Sequence, residues 1–314
     1  MKLPVFKAFG ATIAYLFKHA PTLFAAMWLP ALLLIAGTAY AMPQYMDSVM
    51  AFSGADPEAG LPEFPPEFFR SMGIMMGAAS LFYPMLTVAS LRHLVRGDEL
   101  KAPFYLGFGG DEIRIIAAYL LFMLMFVAVY VVFILGFLVV TLVFSLLSKE
   151  IGGAIALAGA FAGVIALFWF LLRLSLIFPA AIATRKIGIV ESWRATKGNS
   201  FRLLGFWGLV MFILAFVGGA YFVLALPGML DLYGGIFEAG ADPAAARDVE
   251  RKMLELQRDI YDPSKPGFWP FIAGTYIYTL AMTAIINVAS GTAWRYLTDR
   301  ERPRGENATQ SLAA

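Results

Sequence analysis

Residues 115–147 read IIAAYLLFMLMFVAVYVVFILGFLVVTLVFSLL, without one charged side chain from end to end. A helix in the core of a soluble protein needs a polar face, and this run offers none. About 20 such residues suffice to cross the hydrocarbon of a bilayer, so only lipid can hide the run. Other apolar runs extend the same reading, with predicted spans at about 22–42, 69–91, 114–147, 153–178, 203–226 and 268–290. Hydrophobic residues make up 60% of the 314 and charged ones 15%, the balance of a chain whose main solvent is hydrocarbon. The expected fold is therefore all-α: a polytopic membrane protein of six transmembrane helices.

The formal net charge of +2 conceals an uneven distribution. Segments 1–20, 92–114, 185–202 and 295–314 hold 16 basic and 8 acidic residues, against 7 and 14 in segments 43–70, 149–150 and 227–267. By the positive-inside rule, both termini and the loops after spans two and four are expected in the cytoplasm. The first apolar run ends in Ala39-Tyr40-Ala41, a small-x-small step that a signal peptidase can cut. The twenty residues before the run have the pattern of an amphipathic helix carrying Lys2, Lys7 and Lys18, so a retained span is expected rather than a leader. With no cysteine, and with His19 and His93 far apart in sequence, neither a disulfide framework, a metal centre nor a cofactor is expected.

Three stops, KHAPT (18–22), GFGGDE (107–112) and TKGNS (196–200), each fall just before an outgoing span. Gly110 and Gly198 can adopt the left-handed conformation that ends a helix, Pro21 suits a first turn, and Thr22, Asp111 and Ser200 can cap the next helix. Together with short cytoplasmic interfacial helices before them, the stops suggest a threefold pseudo-repeat of helical hairpins. TVASLRHLVRGDE (87–99) and NVASGTAWRYLTDRE (287–301) share a Val-Ala-Ser step and a basic-then-acidic exit. Between 187 and 197, Ile189, Val190 and Trp193 fall on one side, and Glu191, Arg194 and Lys197 on another. That distribution suits a helix lying at headgroup depth. Outside the membrane, residues 242–261 predict a helix capped by Asp242, with a stripe of Val249, Met253, Leu256 and Ile260. The stripe is expected to pack on the Pro-rich loop at 55–68, within the longer loop 43–68, or on the bundle, with a periplasmic partner or a second copy as the alternative. The tail 301–314 is expected to be disordered and cytoplasmic. It ends in Leu312-Ala313-Ala314, like the tag on stalled translation products.

A charge inside hydrocarbon is costly, so intramembrane ionisable residues are the default functional candidates. No Asp, Glu or Lys lies well inside a predicted span, and Arg173 is the one exception. It can snorkel to cytoplasmic headgroups. Alternatively it faces the bundle, pairing with a lipid phosphate or with Asp111 or Glu112. Ser175 lies near it, and Pro179 frees a backbone carbonyl. Asn287 on span six, with Thr283 and Ser290, is read first as interhelical glue. His93 reads as an interfacial residue. The candidate lipid or ligand residues are thus Arg173, Ser175, Asn287, Trp193, Arg194 and Lys197. No nucleophile, base and orienting group assemble into a catalytic set. Basic residues spaced singly among acids suit headgroups better than a nucleic acid.

LRLSLIFPAAIA (172–183) followed by ESWRATKGNSFRLLG (191–205), LRHLVRGDE with FYLGFGGDEIR (104–114), and TAWRYLTDR (292–300) give the chain a resemblance to a bacterial family of six-span inner-membrane proteins. These are similar to the membrane domain attached to some glycerophosphodiester phosphodiesterases. The resemblance covers most of residues 5–300 and implies a membrane module with lipid-related business. In those enzymes catalysis belongs to a separate barrel with a His-Arg-Gly start and acidic metal ligands, which this sequence does not contain. The expected function is a non-enzymatic inner-membrane protein that engages lipids or membrane partners. The alternative is a permease for a small or lipid-like solute, with a path near Arg173, Ser175 and Asn287.

Overall fold

The computed structural model describes residues 2–53, 64–98, 105–147, 149–225, 234 and 243–298. Most of the Pro-rich loop, the Asp242 cap and the tail lie outside the described residues. The elements are α1 (Val5–Lys18), α2 (Ala20–Ser53), α3 (Pro66–Leu91) continued by a π turn (Arg92–Arg96), α4 (Gly110–Leu147) and α5 (Lys149–Leu174). There follow α6 (Ile177–Thr184), α7 (Ile189–Ala195), α8 (Ser200–Ala225), α9 (Pro243–Ile260) and α10 (Phe268–Thr298). The protein is an all-α polytopic membrane protein, and among the described residues six helical segments are long and apolar enough to cross a bilayer.

Neighbouring spans pair as hairpins: α2 with α3, α4 with α5, and α8 with α10. The predicted fourth span is two helices, because Pro179 has no N–H for the carbonyl four residues back. The chain turns at Ser175 and Leu176 before resuming as α6. The predicted loop at 149–150 falls instead within α5. Two of the three expected stops differ in detail: α2 already begins at Ala20, so Thr22 lies inside it and does not cap it, and the second stop is displaced. Gly198 does take a positive φ of 74°. Gly110, however, is the first residue of α4, and the left-handed stop of that elbow is Gly97, with φ 73° after the π turn. The residues that follow the second stop, 105–109, form no helix before α4, so of the three elbows only the first and third have a separate helix among the described residues.

The end of the bundle that carries the elbows holds the core. The last turns of α10 carry Val288, Ala289, Ser290, Gly291, Thr292 and Ala293, all buried, and this end touches α1, α2, α3, α6 and α8. Small side chains permit that density. A Cβ on Gly291 would stand 2.5 Å from Leu94 Cδ2, so the axis of the bundle approaches the α3 exit as closely as backbone allows. Asn199 accepts the Leu3 N–H at 2.9 Å and the Arg202 guanidinium donates to the Leu3 carbonyl at 3.2 Å. Those bonds seat the start of α1 on the third elbow. By contrast α4 leaves its apolar surface open along its length. Its 38 residues span about 57 Å at 1.5 Å per residue, against about 30 Å of hydrocarbon, so α4 must tilt strongly or run past the bilayer. On the other side, α9 lies against α2 and α10, its stripe half-buried, with Arg258 Nε 3.1 Å from Asp47 Oδ1.

Candidate functional site

The break in span four builds the first part of the site. With α5 ending at Leu174, the Arg173 carbonyl loses its helical donor. It accepts instead from the hydroxyls of Ser192 at 3.0 Å and Thr196 at 3.2 Å, both at the α7 elbow. That docking lays Trp193 over the Arg173 side chain, with Cζ 4.6 Å from the Trp193 ring and 5.8 Å from Trp169. Arg173 is only 5% exposed, so it does not snorkel free. No described carboxylate lies within ion-pair distance of it. Asp111 and Glu112, its candidate partners from sequence, are held by other residues. Its Nε is sealed without an acceptor. Two cation–π contacts of about 0.5–2 kcal/mol each offset the cost of placing an arginine in apolar surroundings, about 3 kcal/mol or more, but they leave its charge unneutralised.

The other predicted residues separate. Arg194 and Lys197 are exposed on and just after α7, on the same elbow as Trp193. Ser175 spends its hydroxyl on the Leu172 carbonyl at 2.9 Å. Asn287 donates to Ser90 Oγ at 2.9 Å in a buried contact between α10 and α3, the interhelical role expected of it.

A second cluster was not foreseen as a unit. Asp111, in the first turn of α4 and buried, receives Arg96 Nη2 at 2.6 Å and Arg114 Nη1 at 2.6 Å. Arg92 Nε lies 2.9 Å away as an ion pair. Glu112 takes the capping role expected of Asp111, accepting the Gly109 N–H at 2.7 Å. It also accepts a short bond from the Tyr105 hydroxyl, which itself receives Arg92 Nη1 at 2.9 Å. Burial first, and the bond to Glu112 second, push the Tyr105 phenol above its ordinary range. The Tyr105 N–H reaches the Ala26 carbonyl at 3.3 Å, the group that Pro30, four residues on, cannot satisfy. Beside these residues lies an open cavity of about 850 Å³, closed on a further side by Arg185 from the end of α6. The motifs LRHLVRGDE and GFGGDEIR were each legible in sequence; their meeting through Asp111 was not, since it depends on how α3 and α4 pack.

His19 and His93, distant in sequence, also meet, with Nδ1 and Nε2 3.5 Å apart and the rings in edge contact. Burial, then His93, then Lys18 hold His19 below its ordinary pKa.

The fold and site define a six-span integral membrane protein with its cationic elbows gathered at one end. Compared with protein-family models, curated proteins and solved structures, the chain finds no match.

Proposed function

We propose that this is a non-enzymatic inner-membrane protein that engages anionic lipid at its cytoplasmic face. The observation that carries the reading is Arg173, buried against Trp193 and Trp169 without a carboxylate. A guanidinium so placed lacks a counter-ion that a headgroup phosphate would supply through a charge-assisted bond. Arg194 and Lys197, exposed on the same elbow, would meet neighbouring headgroups, and Trp193 would then lie at the interfacial depth that tryptophans favour. Phe6 and Phe17 on α1, exposed beside Lys7 and Lys18, extend the same interfacial belt. Neither the arginine-lined cavity nor the apolar groove between α4 and α5 reaches Arg173, Ser175 or Asn287, so the permease reading gains no support from them. The test is native mass spectrometry of gently extracted protein, wild type against Arg173→Leu. The expected result is an anionic lipid retained by the wild type and lost from the variant. Equal retention by both would reduce Arg173 to a packing residue.

A further inference from the structure

We propose that the cavity between the π turn, the start of α4 and Arg185 is a binding site for a phosphate group, separate from Arg173. Four guanidinium groups line it, those of Arg92, Arg96, Arg114 and Arg185, against the carboxylates of Asp98, Asp111 and Glu112. The carboxylates are already engaged. Asp111 holds three of the arginines, Glu112 holds Tyr105 and the Gly109 amide, and Asp98 pairs with Arg96 at 3.0 Å. Asp111 therefore serves as a post that fixes three cations side by side, while their remaining N–H groups stay available to an anion. The first-turn amides of α4 have no intrahelical acceptor and add the positive end of the helix to the same wall. Gly107, Gly109 and Gly110 line the cavity too, and a Cβ on Gly110 would stand 3.3 Å from the Arg114 guanidinium.

Arg185 is the residue left over. It is exposed and has no ion-pair partner among the described residues. It is also the one non-glycine described residue with positive φ, at 56°. An L side chain there costs about 1–2 kcal/mol, which glycine or asparagine would largely avoid. An arginine kept in a strained position, at the mouth of a cavity with three pinned guanidinium groups, is placed as the movable member of a phosphate clamp. The ligand chemistry is a phosphate mono- or diester, from a lipid headgroup or from a soluble phosphorylated molecule.

Arg185→Asn removes the charge and relaxes the backbone, so it should retain the fold, which a thermal midpoint no lower than that of wild type would verify. Full-length protein in phosphatidylcholine nanodiscs would be titrated with inorganic phosphate by calorimetry, and again in nanodiscs containing phosphatidylglycerol. Wild type should bind phosphate with an affinity that Arg185→Asn lowers by about tenfold or more, and the same loss should appear when Arg185→Asn is compared with its parent in an Arg173→Leu background. If phosphatidylglycerol abolishes the Arg185-dependent phosphate signal, and Arg185→Asn retains less phosphatidylglycerol than wild type, the source is a lipid headgroup. If phosphate binds alike in both nanodiscs, the source is soluble. Absence of Arg185-dependent binding both of phosphate and of phosphatidylglycerol would overturn the proposal.

Discussion

Replacing Gly188 by alanine should disturb the elbow more than the same change at Gly198, although both glycines have positive φ. Gly188 has φ 88° and precedes α7. A Cβ there would stand 2.3 Å from the Ile177 carbonyl oxygen and 2.7 Å from the Ala181 nitrogen, both backbone atoms of α6. Gly198, with φ 74°, has nothing within 4 Å of its Cβ position. Gly198→Ala therefore meets backbone strain alone, about 1–2 kcal/mol. Gly188→Ala adds overpacking against a helix that cannot yield without breaking its own bonds, for a sum of about 3 kcal/mol or more. At about 2–4 °C per kcal/mol, the midpoint should fall by a few degrees for Gly198→Ala and by about 10 °C for Gly188→Ala. Size-exclusion chromatography after stepwise heating of detergent-solubilised protein reads both midpoints. Since α7 carries Trp193 onto Arg173, Gly188→Ala should also cost the protein its retained anionic lipid. Equal midpoints for the two variants would refute the close seating of α7 on α6.

Asp111→Ala should destabilise by about 3 kcal/mol, the low end for a broken buried pair because Arg92 and Arg114 keep water contact; a thermal midpoint within 2 °C of wild type would count against Asp111 as a hub. For Asn287 and Ser90, a double-mutant cycle with alanine, read by unfolding in mixed micelles, should give a coupling of about 0.5–1.5 kcal/mol, and zero coupling would contradict the buried bond. His19, whose pKa is lowered in the fold, binds protons more readily when unfolded. Stability should therefore fall as pH drops below about 6.5, until folded His19 itself protonates. His19→Gln should flatten that part of the pH–midpoint curve, and an unaltered curve would exclude His19, held down by burial first and His93 second, as its source.

The spans were legible because lipid leaves a chain few ways to hide a run such as 115–147. The break before α6 was half legible: Pro179 announced a freed carbonyl at Ser175, but not the capture of the Arg173 carbonyl by the Ser192 and Thr196 hydroxyls, which are 19 and 23 residues further on. Arg173 stood out in sequence as a lone intramembrane charge, yet its Trp frame depends on the docking of α7, which no local pattern encodes. The arginine cavity was hidden for a related reason. Arg92, Arg96 and Arg114 each read as ordinary headgroup cations, and only the packing of α3 against α4 turns Asp111 into their shared partner. Arg185 left no sequence signal at all, because its positive φ is a property of the turn between α6 and α7.

Lipid engagement at the cytoplasmic face requires a fixed sidedness: the cationic elbows must all face the cytoplasmic leaflet, and α9 the opposite side. The chain has no cysteine, so single cysteines can be introduced cleanly at exposed positions, Lys18 and Lys197 at the elbows, and Arg251 and Lys265 on or after α9. Labelling spheroplasts with a membrane-impermeant maleimide, before and after lysis, reads each position directly. The account predicts that Arg251→Cys and Lys265→Cys label at once and that Lys18→Cys and Lys197→Cys label only after lysis. Labelling of Lys197→Cys in intact spheroplasts would contradict it.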